Sequence, residues 1–172
     1  MKKPFWSILC FIVLLSCMVT LPERAYSAPR ITPFTFKTLD NEIIHVDSLT
    51  QKGPVIITFW ALWCKPCKEE MIALADVYSD VPFDSASIIS VNIDTPRSLN
   101  RVKSYVSAHN IPFPCCTDPG REILRIFNTT NIPFLAVLNT NREVVIKHSG
   151  YVPGDVEELS GKIEELLKRE RE

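Results

Sequence analysis

Hydrophobic residues in this chain form short continuous runs, separated by segments in which they recur every three or four positions. Residues 55–60, 88–93 and 134–138 are apolar at nearly every position, which is typical of central strands buried on both faces. From Met71 to Tyr78 the spacing is helical, and Pro66 provides a favourable first residue for that helix. The pattern therefore predicts buried strands alternating with amphipathic helices.

Weaker signals predict the shorter strands. Residues 34–36 and 43–46 indicate a small N-terminal hairpin with a polar turn between them. A short strand is predicted within residues 111–117. The turn at 139–142 leads from the third buried run into an antiparallel strand at 143–147.

Capping signals predict where the other helices begin. Thr95 and Asp118 each precede a proline, and a capping residue followed by proline is typical of a helix start. We expect these helices to extend to about residue 109 and through residue 127. Asp155 and Glu158 fit a capping box for a final helix. The order βαβαβαββα predicts an α/β domain with a mixed central sheet and helices on both faces.

The first 28 residues have a different composition from the rest. Lys2 and Lys3 precede residues 4–22, which carry no charge, and this is the layout of an export signal. We therefore divide the chain into a leader, residues 1–28, and one domain, residues 29–172.

Three fates of the leader remain open. Ser27 could end a cleaved signal peptide, Cys17 could be lipidated in a lipobox-like segment, or the segment could remain as a membrane anchor. Each places the domain in the periplasm or on the outer face of the bacterial cytoplasmic membrane, because the positive end stays inside. That compartment permits disulfides.

Composition excludes some classes of protein. Sixteen Lys and Arg residues against nineteen Asp and Glu give residues 29–172 a net charge of −3, without a basic run. Binding to nucleic acid is not expected, because phosphate contacts require clustered cations. A multi-span membrane protein is excluded as well, since no segment after residue 28 is long and apolar enough.

Candidate chemistry centres on Cys64-Lys65-Pro66-Cys67, which follows the first buried run and opens a helix. Two cysteines three residues apart on a first helical turn can form a disulfide. Free N–H groups at the helix start favour a thiolate at Cys64, and Lys65 adds positive charge, so Lys65 and Pro66 are candidate thiolate-tuning residues. We expect Cys64 to attack a substrate disulfide and Cys67 to resolve the mixed disulfide.

A zinc site is the main alternative reading of this cysteine pair. It would need a second Cys or His pair at suitable spacing, but the remaining cysteines of the domain, Cys115 and Cys116, are adjacent and distant in sequence. We therefore predict no metal and no cofactor.

Residues 59–71, Phe-Trp-Ala-Leu-Trp-Cys-Lys-Pro-Cys-Lys-Glu-Glu-Met, resemble the active-site segment of thioredoxin-like proteins, and in particular of exported TlpA/ResA-type thiol–disulfide oxidoreductases. The resemblance covers nearly all of residues 33–168. It implies a thioredoxin-like fold with an N-terminal β-hairpin and an inserted strand–helix unit. It also implies that Pro133 is a cis-proline facing the cysteines, and that Trp63, Ile132 and Pro133 contact the bound client.

The resemblance further implies a function. Proteins of this type mostly reduce disulfides of client proteins and are kept reduced by a membrane-bound electron donor, and many act on the haem-site cysteines of apocytochrome c. Oxidising relatives carry a large helical insertion before the cis-proline, and the helices predicted here are too short for it. We expect a monomeric reductase with inner-membrane association through the N-terminus.

Departures from the family pattern leave one question open. Thioredoxin has a buried Asp six residues before its first active cysteine, whereas this chain has Thr58, which cannot act as a base. The proton acceptor for Cys67 is then water or another carboxylate.

Other cysteines and the histidines are interpreted as structural. Cys115 and Cys116 fit a strand that places them on opposite faces, although a second redox pair or a resolving thiol stays an alternative. His45, His109 and His148 are expected to be incidental.

Three other functions are weighed against the reductase. Copper-binding relatives use Cys-x-x-x-Cys and a distant His, and thiol peroxidases have Thr three residues before the reactive cysteine, where this chain has Ala61. The third function is that of a non-enzymatic module, which holds a partner through a mixed disulfide.

Overall fold

The computed structural model describes residues 29–80 and 82–170, so the predictions for the leader, including lipidation of Cys17, concern residues outside this part. Seven strands form one sheet in the order β2-β1-β5-β4-β3-β6-β7. Their bounds are β1 Thr35–Thr38, β2 Ile43–His45, β3 Val55–Trp60, β4 Ser87–Asn92, β5 Cys115–Thr117, β6 Phe134–Leu138 and β7 Val144–Ser149.

Five α-helices accompany the sheet in the described residues: α1 Val46–Thr50, α2 Lys65–Asp76, α3 Leu99–Ala108, α4 Glu122–Ile126 and α5 Asp155–Arg169. Short 3₁₀ turns at Phe83–Ser85 and Pro96–Ser98 precede β4 and α3. None of the helices in residues 29–80 and 82–170 has the length and apolar character required to traverse a bilayer.

The sheet is mixed, as predicted. Strands β3, β4 and β5 are parallel to one another, and the pairs β1–β2, β1–β5, β3–β6 and β6–β7 are antiparallel. All residues of β3 and β6 are buried, because each strand lies between two others and both faces of the sheet are covered.

Helices cover both faces of the sheet, which confirms the predicted architecture. Successive side chains of a strand point to opposite faces. On β3, Trp60 packs against Tyr105 of α3, whereas Phe59 packs against Phe127, which follows α4. The thioredoxin-like fold with its N-terminal hairpin and the inserted strand–helix unit, β5 followed by α4, is therefore present.

Three local predictions were wrong or incomplete. Helix α1 was not predicted, because its five residues follow β2 directly and carry no distinct start signal. Helix α4 begins at Glu122, although Asp118 still caps it: the Asp118 carboxylate accepts hydrogen bonds from the N–H groups of Glu122 and Leu124 at 2.7 and 3.0 Å.

The predicted capping box at the last helix is also wrong. Gly154, with φ of 106°, is the N-cap of α5, so Asp155 is the first helical residue. The Asp155 carboxylate instead accepts a hydrogen bond from the Val152 N–H at 2.7 Å and contacts His148.

One glycine before β3 is required by a close backbone contact. Gly53 has φ of 155°, and a Cβ atom there would lie 2.8 Å from the carbonyl oxygen of Ser85.

We expect Gly53→Ala to lower the free energy of unfolding by about 1–3 kcal/mol, because the backbone must shift. Gly161→Ala is the matched control: a Cβ at Gly161 of α5 meets nothing within 4 Å, so that change should stabilise by about 0.5–1 kcal/mol. Urea unfolding of both variants measures the difference, and equal effects would contradict this account.

Candidate active site

The two cysteines lie where strand β3 passes into helix α2. Cys64 is the N-cap of α2, and its Sγ accepts a hydrogen bond from the Cys67 N–H at 3.3 Å. The sulfur atoms of Cys64 and Cys67 form a disulfide with 5.3 Å between their Cα atoms. A sulfur in this position receives an unsatisfied helix N–H and the positive end of the helix dipole, and both stabilise a thiolate when the disulfide is reduced.

A carboxylate on the neighbouring strand end holds the loop before Cys64. Asp94 follows β4, and its Oδ2 accepts hydrogen bonds from the Leu62 N–H at 2.7 Å and from Asn92 Nδ2 at 2.9 Å. The Asp94 N–H donates to Asn92 Oδ1 at 3.0 Å. Sequence reasoning missed Asp94, because a single Asp after a strand gives no distinctive signal.

Pro133 is at the same end of the sheet as the cysteines. The Ile132–Pro133 peptide bond is cis, which agrees with the expectation from the resemblance. Phe59 of β3 pairs with Phe134 of β6, so Pro133 is adjacent to the residues that lead to Cys64. The Pro133 carbonyl accepts a hydrogen bond from the Gly150 N–H at 2.9 Å.

Exposure differs sharply among the residues of this segment. Trp63 is 66% exposed, Cys64 is 5% exposed and Cys67 is fully buried. This order fits a first sulfur that meets a partner and a second that is shielded. The Lys65 Nζ lies on the surface, 3.6 Å from Glu69 Oε1, so the tuning role of Lys65 stays a prediction.

Glu70 is a second residue that sequence reasoning missed. It is 2% exposed and lies three residues after Cys67, so both side chains occupy the buried face of α2. Thr58 of β3 donates its hydroxyl to Glu70 Oε2 at 2.5 Å. The sequence did contain a signal for a buried acid: Glu70 is a charged residue within the apolar stripe of Cys67, Met71 and Leu74.

The environment of Glu70 raises the proton affinity of its carboxyl group. Burial raises the pKa of this carboxyl from 4.5 to about 7, and the hydrogen bond from Thr58 and the charge of His148 offset only part of that effect. A carboxyl group with a pKa near neutral can both accept and release a proton under physiological conditions. Thr58 therefore occupies the position of the thioredoxin Asp, while the acid lies on the facing helix.

The other cysteines are removed from this chemistry. Cys115 and Cys116 on β5 are free and buried, and burial raises their thiol pKa values to about 11 and about 12. Such thiols are almost fully protonated at neutral pH and react slowly. Among the described residues, no group of three or more His, Cys, Asp or Glu side chains is arranged to hold a metal ion.

Comparisons with known proteins agree with this geometry. The thiol-disulfide oxidoreductase ResA of Halalkalibacterium halodurans is 27% identical over 180 aligned positions, which cover 98% of each chain. The sporulation thiol-disulfide oxidoreductase A of Bacillus subtilis is 28% identical and covers 78% of this chain and 83% of its own length.

Solved structures show the same fold. StoA from Bacillus subtilis superposes with a TM-score of 0.64 at 24% identity, covering 77% of this chain and 99% of that chain. A secreted Mycobacterium tuberculosis disulfide oxidoreductase superposes with the same TM-score at 23% identity, covering 77% and 96%.

These observations define the protein as a thioredoxin-like thiol–disulfide oxidoreductase. Residues 28–153 match the AhpC/TSA family, and the chain belongs to that family.

Glu70 should make stability depend on pH. Its folded-state pKa of about 7 exceeds the unfolded value of 4.5, so the folded protein binds the extra proton and loses stability as pH rises between these values. We expect Glu70→Gln to remove this loss, so that its advantage over wild type grows by about 3 kcal/mol between about pH 4 and pH 8. Urea unfolding of the oxidised protein measures it. Glu69→Gln, on the exposed side of α2, is the control; an identical pH response of both variants would refute the assignment.

Proposed function

We propose that this chain is an extracytoplasmic reductase of client-protein disulfides that works through the Cys64–Cys67 dithiol. The observation that carries the proposal is the position of Cys64 at the start of α2, where its sulfur accepts the Cys67 N–H, combined with a buried acid on the same helix face as Cys67. One sulfur is thereby prepared to attack and the other has a proton acceptor.

The reaction proceeds in two thiol–disulfide exchanges. The Cys64 thiolate attacks one sulfur of the client disulfide, which forms a mixed disulfide and releases the other client sulfur as a thiolate. Cys67 then transfers its proton to the Glu70 carboxylate and attacks the Cys64 sulfur, releasing the second client thiolate. Two electrons pass to the client, whose two thiolates take up protons, and the protein retains the Cys64–Cys67 disulfide.

The inserted segment supports reduction rather than oxidation. Between the end of β4 at Asn92 and Pro133 the described chain contains β5, the ten-residue α3 and the five-residue α4. The large helical domain expected of oxidising relatives is not compatible with elements of this length.

The location and partners are proposed from the leader and the relatives. The uncharged run after Lys2 and Lys3 has the layout of an export signal, and a structurally similar Mycobacterium tuberculosis protein is described as secreted. A domain outside the cytoplasm cannot use cytoplasmic reductants directly, so we propose a membrane-bound electron donor. The haem-site cysteines of apocytochrome c are the client class that the family resemblance favours.

Client trapping tests this function. Expressed in the source cell, full-length Cys67→Ser should accumulate mixed disulfides on Cys64, because the resolving thiol is missing. We expect at least about ten times more trapped client than in wild type, visible on non-reducing gels and identified by mass spectrometry. Cys64→Ser should trap none, and Cys115→Ser, which alters a buried thiol outside the site, should match wild type.

The direction of transfer needs a purified assay. The reduced wild-type chain should reduce a disulfide-bonded Cys-x-x-Cys-His peptide and emerge as the Cys64–Cys67 disulfide. Three results would each indicate a function other than that of a reductase. They are faster oxidation of the reduced peptide, tight binding of Cu(I), and consumption of hydrogen peroxide in place of the disulfide.

The exposed indole of Trp63 is proposed to contact the client beside Cys64. Truncation should therefore weaken client binding: we expect Trp63→Ala to lower kcat/KM for the peptide by about 5- to 10-fold. Ile43→Ala is the control, since Ile43 is also an exposed apolar residue but lies on β2 at the opposite edge of the sheet from β7. Equal effects of the two changes would remove Trp63 from the client surface.

A further inference from the structure

Glu70 borders a small cavity between α2, β7 and α5. The cavity has a volume of about 20 Å³, which is enough for about one water molecule where polar groups line the space. Its titratable and charged lining comprises the following side chains: Glu70, His148, Tyr151, Asp155, Glu158 and Lys162. Apolar residues of β6, β7 and α5 form the remainder.

His148 and Asp155 form a hydrogen-bonded pair at this cavity. His148 Nε2 lies 2.9 Å from Asp155 Oδ2, and the imidazole is more exposed than the carboxylate, at 39% against 15%. Hydrogen bonding to Asp155 favours the tautomer protonated at Nε2, which leaves Nδ1 as the basic nitrogen. Glu158 and Lys162 pair with each other at 2.5 Å, so the charge of Lys162 is largely compensated.

The burial of Glu70 separates its carboxyl from solvent, so proton exchange with solvent needs a path through other groups. Thr58 donates its hydroxyl to the carboxyl on the strand side, and the carboxyl itself is almost completely buried. With a pKa of about 7, Glu70 is partly protonated at neutral pH, and it must lose that proton before it can accept the proton of Cys67. Glu70 and the partly exposed His148 both line this cavity, which places the acid and a candidate proton carrier on the same space.

We propose that His148, oriented by Asp155, carries protons between Glu70 and solvent through a water molecule in this cavity. The proton taken from Cys67 passes from the Glu70 carboxyl through the water to His148 Nδ1, and the imidazolium then releases it to bulk water. The proton moves in the opposite direction when the disulfide is reduced again. Neither His148 nor Asp155 touches a reacting sulfur, so both are positioning residues that act through Glu70.

This inference rests on the proposed function, in which Glu70 accepts the proton of Cys67. It assigns a role to a histidine that the sequence presents as incidental. It also predicts that the two exchange steps respond differently, because Glu70 must be unprotonated for resolution by Cys67 and takes no part in the initial attack by Cys64.

Ellman's disulfide separates the two steps in one experiment. Reduced full-length protein carrying Cys10→Ala and Cys17→Ala releases one thionitrobenzoate when Cys64 attacks and a second when Cys67 resolves the adduct. We expect His148→Ala to slow the second release about ten-fold at neutral pH while changing the first less than two-fold. Added imidazole should restore the second rate, since it can enter the space left by the side chain.

Two further variants separate proton transfer from structure. His148→Gln can still donate a hydrogen bond to Asp155 but cannot carry a proton, so it should show the same slow second release as His148→Ala. Combining His148→Ala with Glu70→Gln should be no slower than Glu70→Gln alone, because both residues act in one path. His45→Ala, at the opposite edge of the sheet, is the matched control and should match the parent protein.

The outcomes distinguish the inference from the function. The relay would be overturned if the rate of the second release were unchanged in His148→Ala between about pH 6 and pH 9. It would also be overturned if His148→Gln had the second rate of the parent protein while imidazole had no effect on His148→Ala. Failure of the parent protein to give either release would instead refute the proposed function. The rate of the first release reports whether each variant is folded around Cys64.

Discussion

The hydrogen bond between Thr58 and Glu70 is the interaction on which the site depends. It connects the central strand β3 to the helix that bears both cysteines, and it is buried. Placing a carboxyl in an apolar core costs free energy unless the group is hydrogen-bonded or neutralised, and one hydroxyl supplies only part of that compensation. An apolar residue would pack there at lower cost. The carboxyl is therefore best understood through the chemistry of Cys67 on the same helix face, and the raised pKa is the physical result of this placement.

Sheet topology brings the remaining parts of the site to the same end of the strands. The loop after β3, the Asp94 carboxylate after β4 and Pro133 before β6 meet because β3 is parallel to β4 and antiparallel to β6. Asp94 then fixes the Leu62 N–H, and Gly150 fixes the Pro133 carbonyl. Each contact joins segments that are distant in sequence, so the shape of the loop around Cys64 is determined by strand register and not by the loop alone.

The sequence predicted the parts of the fold that depend on local pattern. Continuous apolar runs identified β3, β4 and β6, since a strand buried on both faces needs no polar alternation. Helix starts were less predictable, because capping depends on backbone geometry as well as residue type. Asp118 caps α4 from four residues before its first turn, and Gly154 replaces Asp155 as the cap of α5 through a left-handed backbone. The active cysteines were recognisable from spacing and context, whereas Glu70 and Asp94 act through contacts across 12 and 32 residues that no local pattern encodes.

Moving the buried acid from the strand to the helix has a mechanical consequence. In thioredoxin the acid precedes the cysteines on the central strand, so its distance to the second cysteine depends on how helix and strand pack. Here Glu70 and Cys67 belong to one helix and their separation is set by helix geometry, at three residues along one face. The strand β3 contributes a hydrogen-bond donor, Thr58, and the edge strand β7 contributes a second neighbour, His148. The separation of Glu70 and Cys67 is thus set within α2, while contacts from the sheet adjust the proton affinity of the acid, and the two properties can change independently of each other.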